Sequence, residues 1–586
     1  MKKKVIFGIA ALIVLSGAVA ALRIVSYAPV SAAAIGAGTE AHGFPWRGAI
    51  HVHSSISDGA AGIDEIMAAA GEAGVDFLVL TDHNPLGPRE RPRPGWYGDV
   101  LLIVAEEITT DQGHLLALQI PPHRYRFGPT ARQALADIND EGGWALVAHP
   151  HHSRQAWAGG WGGTQGLEVV NLSSAWSRST ALSRAATVVS AIINRDYAAT
   201  RLLSGGWPTV SLWDSLTELS GRRLSVSRPR VVVGAADAHG PLLGPLPSYA
   251  YTLGVLSTLV WIDEPAGRPT RPAAERVESK LLAALRGGHA AIETTALGDG
   301  RSFVFTARSP NTLAKPGELV GWEDGPWTLQ VEFESTGDTE IVVLRDGHRI
   351  AQAAATSIAI DVDEPGTYRV EVYRGAATDE EESALPWIVS NPIYLWPAEA
   401  RTAARLFRVP PLPVPPSAHD LLAGAAFEAN DRGVPYNMVE SRGTEVSWSF
   451  ALNAASDPEA FAAMIWRADE PMDWSKEDGL IVEIQAGHAM RAALELQTIA
   501  ADGSPKSWVY SVKAGPDTEA VAIPWSRFRP SGPEGLIAGA VADAERPSAT
   551  DMRRVENVIL LVTPLLLAQG SSATLKLRAL ALYGSQ

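Results

Sequence analysis

Two histidines stand one residue apart in the segment GAIHVHSSISDG, residues 49–60, and Asp58 follows them. In an extended strand alternate side chains share a face, so His51 and His53 would point in the same direction. Two imidazoles on one face can bind a divalent metal ion. A surface strand that happens to carry two histidines would have the same sequence, so the rest of the chain has to decide between these interpretations.

Histidine and carboxylate residues recur beside short apolar runs in the same part of the chain. Ten of the fourteen histidines lie between His42 and His239, where an even spread would place about five. Runs such as FLVLTDHN (77–84) and WALVAHPHH (144–152) have the composition of buried strands. The residues that open or end such runs are Asp82, His83, Glu106, Glu107, His114, His149, His151, His152, Asp237 and His239.

Helical patterns separate several of these runs. One covers residues 62–74 and a second extends from Thr130 to Gly143. A repeated order of strand, ligand-type residue and helix predicts an α/β fold in which a β/α barrel holds a site at the carboxyl ends of its strands. The interval between Glu107 and His114 is too short for a helix, so we expect a distorted barrel.

Composition restricts the chemistry. The chain has 586 residues, of which 46% are hydrophobic, and therefore has room for several packed domains. Its net charge of −16 opposes nucleic acid as a partner. Cysteine is absent, which excludes disulfides, thiolate ligands and cysteine nucleophiles, so a metal ion must be held by His, Asp or Glu.

The N-terminus resembles an export segment. Three lysines precede an uncharged run from Val5 to Leu22, and Arg23 closes it. We predict that residues 1–40 are a signal peptide, with small residues for cleavage at Ala32 and Ala34, or an N-terminal membrane anchor. The rest of the chain would be exported to the periplasm or the extracellular space, and would stay attached to the inner membrane if the helix is not cleaved.

The order of the motifs resembles the PHP (polymerase and histidinol phosphatase) superfamily of metal-dependent phosphoesterases. The motifs are H-x-H with a following S-D, then T-D-H-N, E-I-T with G-H-L, A-H-P and D-x-H, between about residues 45 and 300. The segment WIVSNPIY (387–394) is similar to the end of the β-sandwich that follows the barrel in the carbaryl-hydrolase-like branch. The resemblance implies a distorted (β/α)7 barrel with two or three divalent metal ions, which could be Zn, Mn or Fe.

The resemblance also implies a set of metal ligands, carried over motif by motif. They are His51, His53, Asp58, His83, Glu107, His114, His149, Asp237 and His239. We prefer Glu107 to Glu106 because it directly precedes the Ile-Thr pair, and a bridging carboxylate can hold two cations close together. Metal ions held in this way lower the pKa of bound water, so hydroxide would be the nucleophile.

Three further residues are candidates for substrate binding or acid catalysis. His151, His152 and Arg154 follow His149 at the expected mouth of the barrel, where they could bind the substrate anion or protonate the leaving group. A solvated loop is the alternative interpretation for each. Asp82 would orient a ligand imidazole or simply cap the strand end.

The remaining segments predict further domains. We predict that the barrel covers residues 41–300 and that residues 173–228 form a helical insertion within it. Alternating patterns predict an immunoglobulin-like β-sandwich over 301–397, a proline-rich linker over 398–420 and a jelly-roll, galactose-binding-like β-sandwich over 421–586. Five tryptophans of the last domain could form a platform for sugar rings or could belong to its core: Trp448, Trp466, Trp474, Trp508 and Trp525.

These observations leave three hypotheses. The first is an exported metal-dependent hydrolase, a phosphoesterase acting on phosphate mono- or diesters in a small-molecule or glycan-linked substrate. The second is a carboxyl-ester or carbamate hydrolase that uses the same metal site. The third is a non-catalytic surface-binding protein that keeps the barrel for structural reasons.

Overall fold

The computed structural model describes most of the chain between Gly43 and Gly584. The described residues are 18, 21–29, 43–83, 91–121, 127, 131–204, 207–217, 231–240, 248–266, 272–374, 385–405, 415–416, 419–422, 425–442, 445–452, 460–487, 490–500, 502–516, 520–530, 547–562 and 572–584. The suggested cleavage site, most of the apolar run Val5–Leu22, residues 218–228 of the insertion and 406–414 of the linker lie outside them. None of the helices within these ranges is long and apolar enough to cross a bilayer.

The chain divides into two compact units, of which the second consists mainly of Pro410–Gln586. The first part of the first unit alternates strands and helices. The strands are β1 (Phe44–Val52), β2 (Phe77–Leu80), β3 (Gly95–Tyr97), β4 (Val100–Val104), β5 (Glu106–Thr110), β6 (Gly113–Leu118), β7 (Trp144–Val147), β8 (Gly166–Asn171), β9 (Val231–Ala235), β10 (Ser257–Ile262) and β11 (Ala290–Glu293). The helices are α1 (Ile63–Glu72), α2 (Ala131–Asp140), α3 (Leu172–Arg178), α4 (Ala181–Ile193), α5 (Arg195–Leu203), α6 (Pro208–Thr217), α7 (Tyr249–Leu253) and α8 (Ala274–Gly287).

These strands form two groups with mixed pairing. β1, β2 and β4 are parallel neighbours, as are β7, β8 and β9, whereas β5, β6 and β7 pair antiparallel. Hydrogen bonds join the two groups at several places: a bridge connects His83 with Glu107, the amide of Ala238 donates to the carbonyl of His51, and the amide of Gly234 donates to the hydroxyl of Thr258. The antiparallel hairpin of β5 and β6 lies where the sequence has no room for a helix.

Local sequence explains how several of these elements begin and end. α1 carries Asp64 and Glu65 in its first turn, where negative charge complements the helix dipole. α8 ends at Gly288, whose φ of 80° is a left-handed conformation that glycine adopts without steric cost.

The predicted insertion contains α3 to α6. Its pattern predicts helix across residues 179–203, but Asn194 interrupts it. The side chain of Asn194 accepts a hydrogen bond from the amide of Tyr197 and so caps α5 at the point where α4 ends.

The rest of the first unit is a two-layered β region that shares one hydrophobic core. Its elements are β12 (Val304–Arg308), β13 (Leu313–Ala314), β14 (Leu319–Gly321), β15 (Trp327–Glu332), β16 (Thr339–Arg345), β17 (His348–Ala353), β18 (Ser357–Val362), β19 (Gly366–Arg374), β20 (Pro386–Ser390), β21 (Ile393–Trp396) and helix α9 (Ala398–Arg405). β20 pairs antiparallel with β11, so the hydrogen-bonded sheet continues across the boundary predicted near residue 300. α9 occupies the beginning of the predicted linker.

The second unit contains, among its described residues, two six-stranded antiparallel sheets around a shared core. Its strands are β22 (His419–Asp420), β23 (Phe427–Arg432), β24 (Tyr436–Arg442), β25 (Glu445–Ala451), β26 (Phe461–Met472), β27 (Gly479–Ala486), β28 (Met490–Ile499), β29 (Pro505–Ala514), β30 (Val521–Pro524), β31 (Arg529–Pro530), β32 (Val555–Val562) and β33 (Ser572–Tyr583). The five tryptophans considered for sugar binding are at most 8% exposed. They pack in the core and do not form an exposed platform for sugar rings.

Candidate metal centre

Glu107, at the beginning of β5, is buried in the middle of five histidines. Its Oε1 lies 2.7 Å from Nδ1 of His114 and 2.9 Å from Nε2 of His149, and its Oε2 lies 3.0, 3.1 and 3.4 Å from Nε2 of His51, His53 and His83. A carboxylate in this position can share its two oxygens between metal ions that the imidazoles also bind.

Two further carboxylates complete the cluster. Oδ1 of Asp237 lies 3.5 Å from Nε2 of His51, and Oδ2 of Asp58 lies 3.4 Å from Nε2 of His239. The structure thus brings all nine predicted ligands together. Within the described residues, four overlapping groups have donor atoms within 4.8 Å of one another: His51–Glu107–His149, His51–His53–Asp237, His53–Asp58–His83 and His83–Glu107–His114.

Backbone strain concentrates in this cluster. Three of the five described non-glycine residues with positive φ belong to it, namely His51 (69°), His149 (27°) and Asp237 (47°). The pairing of β1 with β2 also shifts register next to His51. Such conformations cost about 1–3 kcal/mol each, and they persist where the surrounding structure enforces them, commonly at functional sites.

The arrangement of the donor atoms suits metal binding better than hydrogen bonding among themselves. Within the described part of the chain, both ring nitrogens of His53 and Nδ1 of His149 are buried and form no hydrogen bond of suitable geometry, although Nε2 of His53 lies 3.1 Å from Oε2 of Glu107. Buried polar atoms normally find a partner, so these nitrogens indicate a missing one. A set of imidazole nitrogens and carboxylate oxygens without sulfur suits Zn, Mn or Fe, and the cluster fits a metal-dependent hydrolase.

Glu168, in β8, is a site residue that the sequence did not reveal. Its Oε1 lies 2.6 Å from Nδ1 of His51, and its Oε2 accepts hydrogen bonds from the amide of His149 and from Nδ2 of Asn171. A carboxylate in this position orients the imidazole and directs Nε2 toward the cluster. The available signal was a glutamate inside the apolar run LEVVN, because a buried charge is costly unless it has partners.

Of the two roles predicted for Asp82, the contacts fit capping and not the orientation of an imidazole. Asp82 accepts hydrogen bonds from the amide and hydroxyl of Ser54 and from the hydroxyl of Ser57. Asp82 therefore holds the loop that carries Asp58 and does not orient an imidazole. Glu106 joins none of the ligand groups found among the described residues.

The electrostatics keep the carboxylates of the cluster ionised. Burial alone would raise the pKa of Glu107, but the charge of His51 and hydrogen bonds from His114 and His149 hold that pKa well below its usual range. Burial likewise opposes ionisation of Asp237, yet His51 and His149 lower the pKa of Asp237 to about 2. Ionised carboxylates are the form that binds cations.

The three candidates for substrate binding or acid catalysis, His151, His152 and Arg154, occupy different places. His151 lines a cavity of about 260 Å³ together with His149 and Glu168, and its Nδ1 lies 2.8 Å from Oγ1 of Thr209. The ring of His152 lies 5.4 Å from that of His149, and its Nδ1 accepts weak hydrogen bonds from the amides at 154 and 155. Arg154 is exposed and does not line the cavity.

Two arginines that the sequence did not single out line the same cavity. Arg178 ends α3 and Arg201 lies in α5. Among the described residues, no carboxylate forms a salt bridge with either guanidinium. Burial lowers the pKa of Arg178. The pKa of His151 is lowered by its own burial and, in addition, by the positive charge of Arg178. The lining of the cavity therefore contains two exposed guanidinium groups and one carboxylate, that of Glu168.

Comparison with protein families and with characterised proteins finds no match. The solved structures that are similar in part include the following two. One is a two-domain protein of Bacteroides vulgatus containing a predicted PHP-like metal-dependent phosphoesterase, with 14% identity over 61% of this chain and 98% of that one and a TM-score of 0.31. The other is a family 11 carbohydrate-binding module of a cellulosomal cellulase of Clostridium thermocellum, with 14% identity over 29% of this chain and 94% of that one and a TM-score of 0.23. Because both TM-scores are low, we base the function on the side chains of this chain.

Proposed function

We propose that the protein is an exported, metal-dependent phosphoesterase that hydrolyses phosphate mono- or diesters. The observation that carries this proposal is Glu107, a buried carboxylate whose two oxygens lie within 3.4 Å of five imidazole nitrogens. The resemblance to the PHP superfamily, and to its carbaryl-hydrolase-like branch, supports the same function. In this proposal the two strand groups form the distorted seven-stranded barrel, and residues 1–40 direct export.

The residues of the site divide the work between them. Bound divalent metal ions would supply the activation of water and the neutralisation of developing negative charge. Glu107 holds the ligand imidazoles together, Glu168 directs His51, and Asp82 holds the loop of Asp58. A metal centre supported in this way is preorganised, so little energy is lost in rearrangement during the reaction.

His151 is the proposed proton donor to the leaving group. Oγ1 of Thr209 is hydrogen-bonded to Nδ1 of His151, so Nε2 is the ring nitrogen that can exchange a proton in the cavity. Burial lowers the pKa of His151, and the charge of Arg178 lowers it further. Because the lowered pKa leaves only a minor fraction of the imidazole protonated near neutral pH, that protonated fraction would be the acid.

The cavity favours a phosphoester over a neutral carboxyl ester or carbamate. Arg178 and Arg201 place positive charge beside His149, and guanidinium groups bind phosphate oxygens through paired hydrogen bonds. Both side chains are exposed and are solvated by water without a ligand, so the preference for a phosphoester would come from the charge-assisted hydrogen bonds that it adds.

The test combines metal analysis with hydrolysis assays on the full chain after addition of Mn, Zn or Fe. We expect two or three metal ions per chain and turnover of 4-nitrophenyl phosphate or its diester. Glu107→Gln should lose metal ions and at least about a hundredfold in turnover, because even supporting residues of metal sites contribute 10- to 100-fold. Glu106→Gln, a change of the neighbouring carboxylate outside the ligand groups, is the matched control.

Two outcomes would contradict the proposal. Bound metal with turnover of 4-nitrophenyl acetate but of neither phosphoester would favour the carboxyl-ester alternative. A chain that binds no metal would favour the non-catalytic binding protein.

A further inference from the structure

Helix α4 of the insertion has an inverted distribution of polar and apolar side chains. Its buried residues include Thr187 and Ser190, whereas Leu182, Val189 and Ile192 are 82%, 57% and 72% exposed. A surface helix in water normally shows the opposite arrangement. A contiguous exposed apolar face of this kind marks an interaction surface.

The exposed residues form one stripe. Leu182, Ala186, Val189 and Ile193 follow at intervals of four, three and four residues, which places them on the same side of a helix. The single charged residue of α4 turns away toward α3, because the guanidinium of Arg184 donates to the carbonyls of Trp176 and Ser177. The stripe is therefore apolar along its whole length.

The N-terminal segment of the chain lies beside this helix. Nδ2 of Asn194, the residue that ends α4, donates to the carbonyl of Tyr27 over 2.7 Å, and the rings of Tyr27 and Tyr197 are 5.9 Å apart. Residues 21–26 are helical, and Leu22 and Val25 are 68% and 66% exposed. The apolar run that begins at Val5 thus ends a few residues before a contact with α4.

The insertion helices carry a positive net charge although the whole chain is negative. Residues 172–203 contain four arginines and one aspartate, and Arg23 follows the apolar run. Helices that lie in the interface of anionic membranes typically combine an apolar face with basic residues nearby. A soluble protein partner would not require this combination next to an apolar N-terminal run.

We propose that the exposed face of α4 lies in the surface of the lipid bilayer, next to the N-terminal segment that enters the same membrane. The proposal rests on the predicted insertion of the run Val5–Leu22 and is independent of the reaction catalysed. α4 also contributes Ser183 to the cavity beside the metal cluster. The lipid surface would therefore lie next to one wall of that cavity.

The absence of cysteine allows a direct test with the full chain. Val189→Cys is labelled with a fluorophore sensitive to polarity, and the protein is reconstituted in nanodiscs of phosphatidylcholine and phosphatidylglycerol. We expect emission at shorter wavelength than in water, and quenching by nitroxide-labelled lipid at least about twofold stronger than for a label at Ile350. Ile350 is the matched control, because it is an exposed apolar residue in β17.

Two results would overturn the proposal. Equal quenching at 189 and 350, together with strong quenching of a label at Leu22→Cys, would show that the segment enters the membrane while α4 stays in water. A spectral shift that grows with protein concentration and is insensitive to the lipid quencher would show that a second copy covers the stripe. Ile192→Cys repeats the measurement in case the variant at 189 does not fold.

Discussion

The metal cluster of the first unit and the tryptophan core of the second unit are both sets of residues whose types suggest binding. The tryptophans and six of the nine cluster residues are buried, whereas Asp58 is exposed and His83 and His239 are partly exposed. In the cluster, the buried atoms are polar, and the ring nitrogens of His53 form no hydrogen bond of suitable geometry among the described residues. In the second unit, the rings of Trp474 and Trp525 stack with centroids 6.0 Å apart, and the indole N–H of Trp448 donates to Oδ1 of Asn437.

The difference shows that burial alone does not distinguish a binding site from a hydrophobic core. What separates them is the chemistry of the buried groups: the second unit also leaves Nε1 of Trp474 without a hydrogen-bond partner, but its buried side chains are mostly apolar, whereas the cluster gathers imidazoles and carboxylates. Apolar rings gain free energy from contact alone, whereas a buried imidazole nitrogen without a partner costs free energy unless a ligand fills the gap. The comparison predicts that substitutions in the two regions affect different quantities.

The largest expected effect is on stability in the second unit. Trp448→Ala removes a fully buried ring, so the free energy of unfolding should fall by about 3–5 kcal/mol in denaturant titrations. The metal content of the folded chain should stay unchanged, because all the ligands belong to the first unit. Trp448→Phe, which keeps most of the apolar volume, should cost less. A loss of metal without a loss of stability would break the comparison.

The next effect is on metal affinity. Glu168→Gln should weaken metal binding about 10- to 100-fold in competition with a chelator, because the amide no longer orients His51 as the carboxylate does. Glu293→Gln is the control, since Glu293 is equally buried but forms its ion pair with Arg47 outside the cluster. Equal metal affinity in the wild type and both variants would refute the role assigned to Glu168.

The smallest expected effect is on the KM for a phosphate ester that binds at the cavity. Arg178→Ala and Arg201→Ala should each raise KM for an aryl phosphate about tenfold with little change in kcat, because a hydrogen bond to a charged group contributes about 1.5 kcal/mol or more. Arg195→Ala, an exposed arginine of the same insertion outside the cavity, should leave KM unchanged. An equal rise in KM for a neutral ester would show that these arginines do not recognise phosphate.

Much of the candidate site could be predicted from the sequence. The ligand types and their positions at strand ends are visible locally, because a strand places alternate residues on one face and a short apolar run marks its length. The hairpin at Asp346 and Gly347 is equally local, and both residues have positive φ, of 48° and 78°. These features depend on a few neighbouring residues.

The sequence by itself determined which residues can bind metal and where the strands that carry them lie. Only the tertiary structure decided that Glu168 supports His51 from 117 residues away, that Asp82 holds a loop, and that the arginines of two insertion helices meet at one cavity. It also decided that the tryptophans of the second unit point into the core and that the apolar face of α4 points out. The physical reason is that partners and burial are set by contacts between distant segments, which no local pattern of residue types encodes.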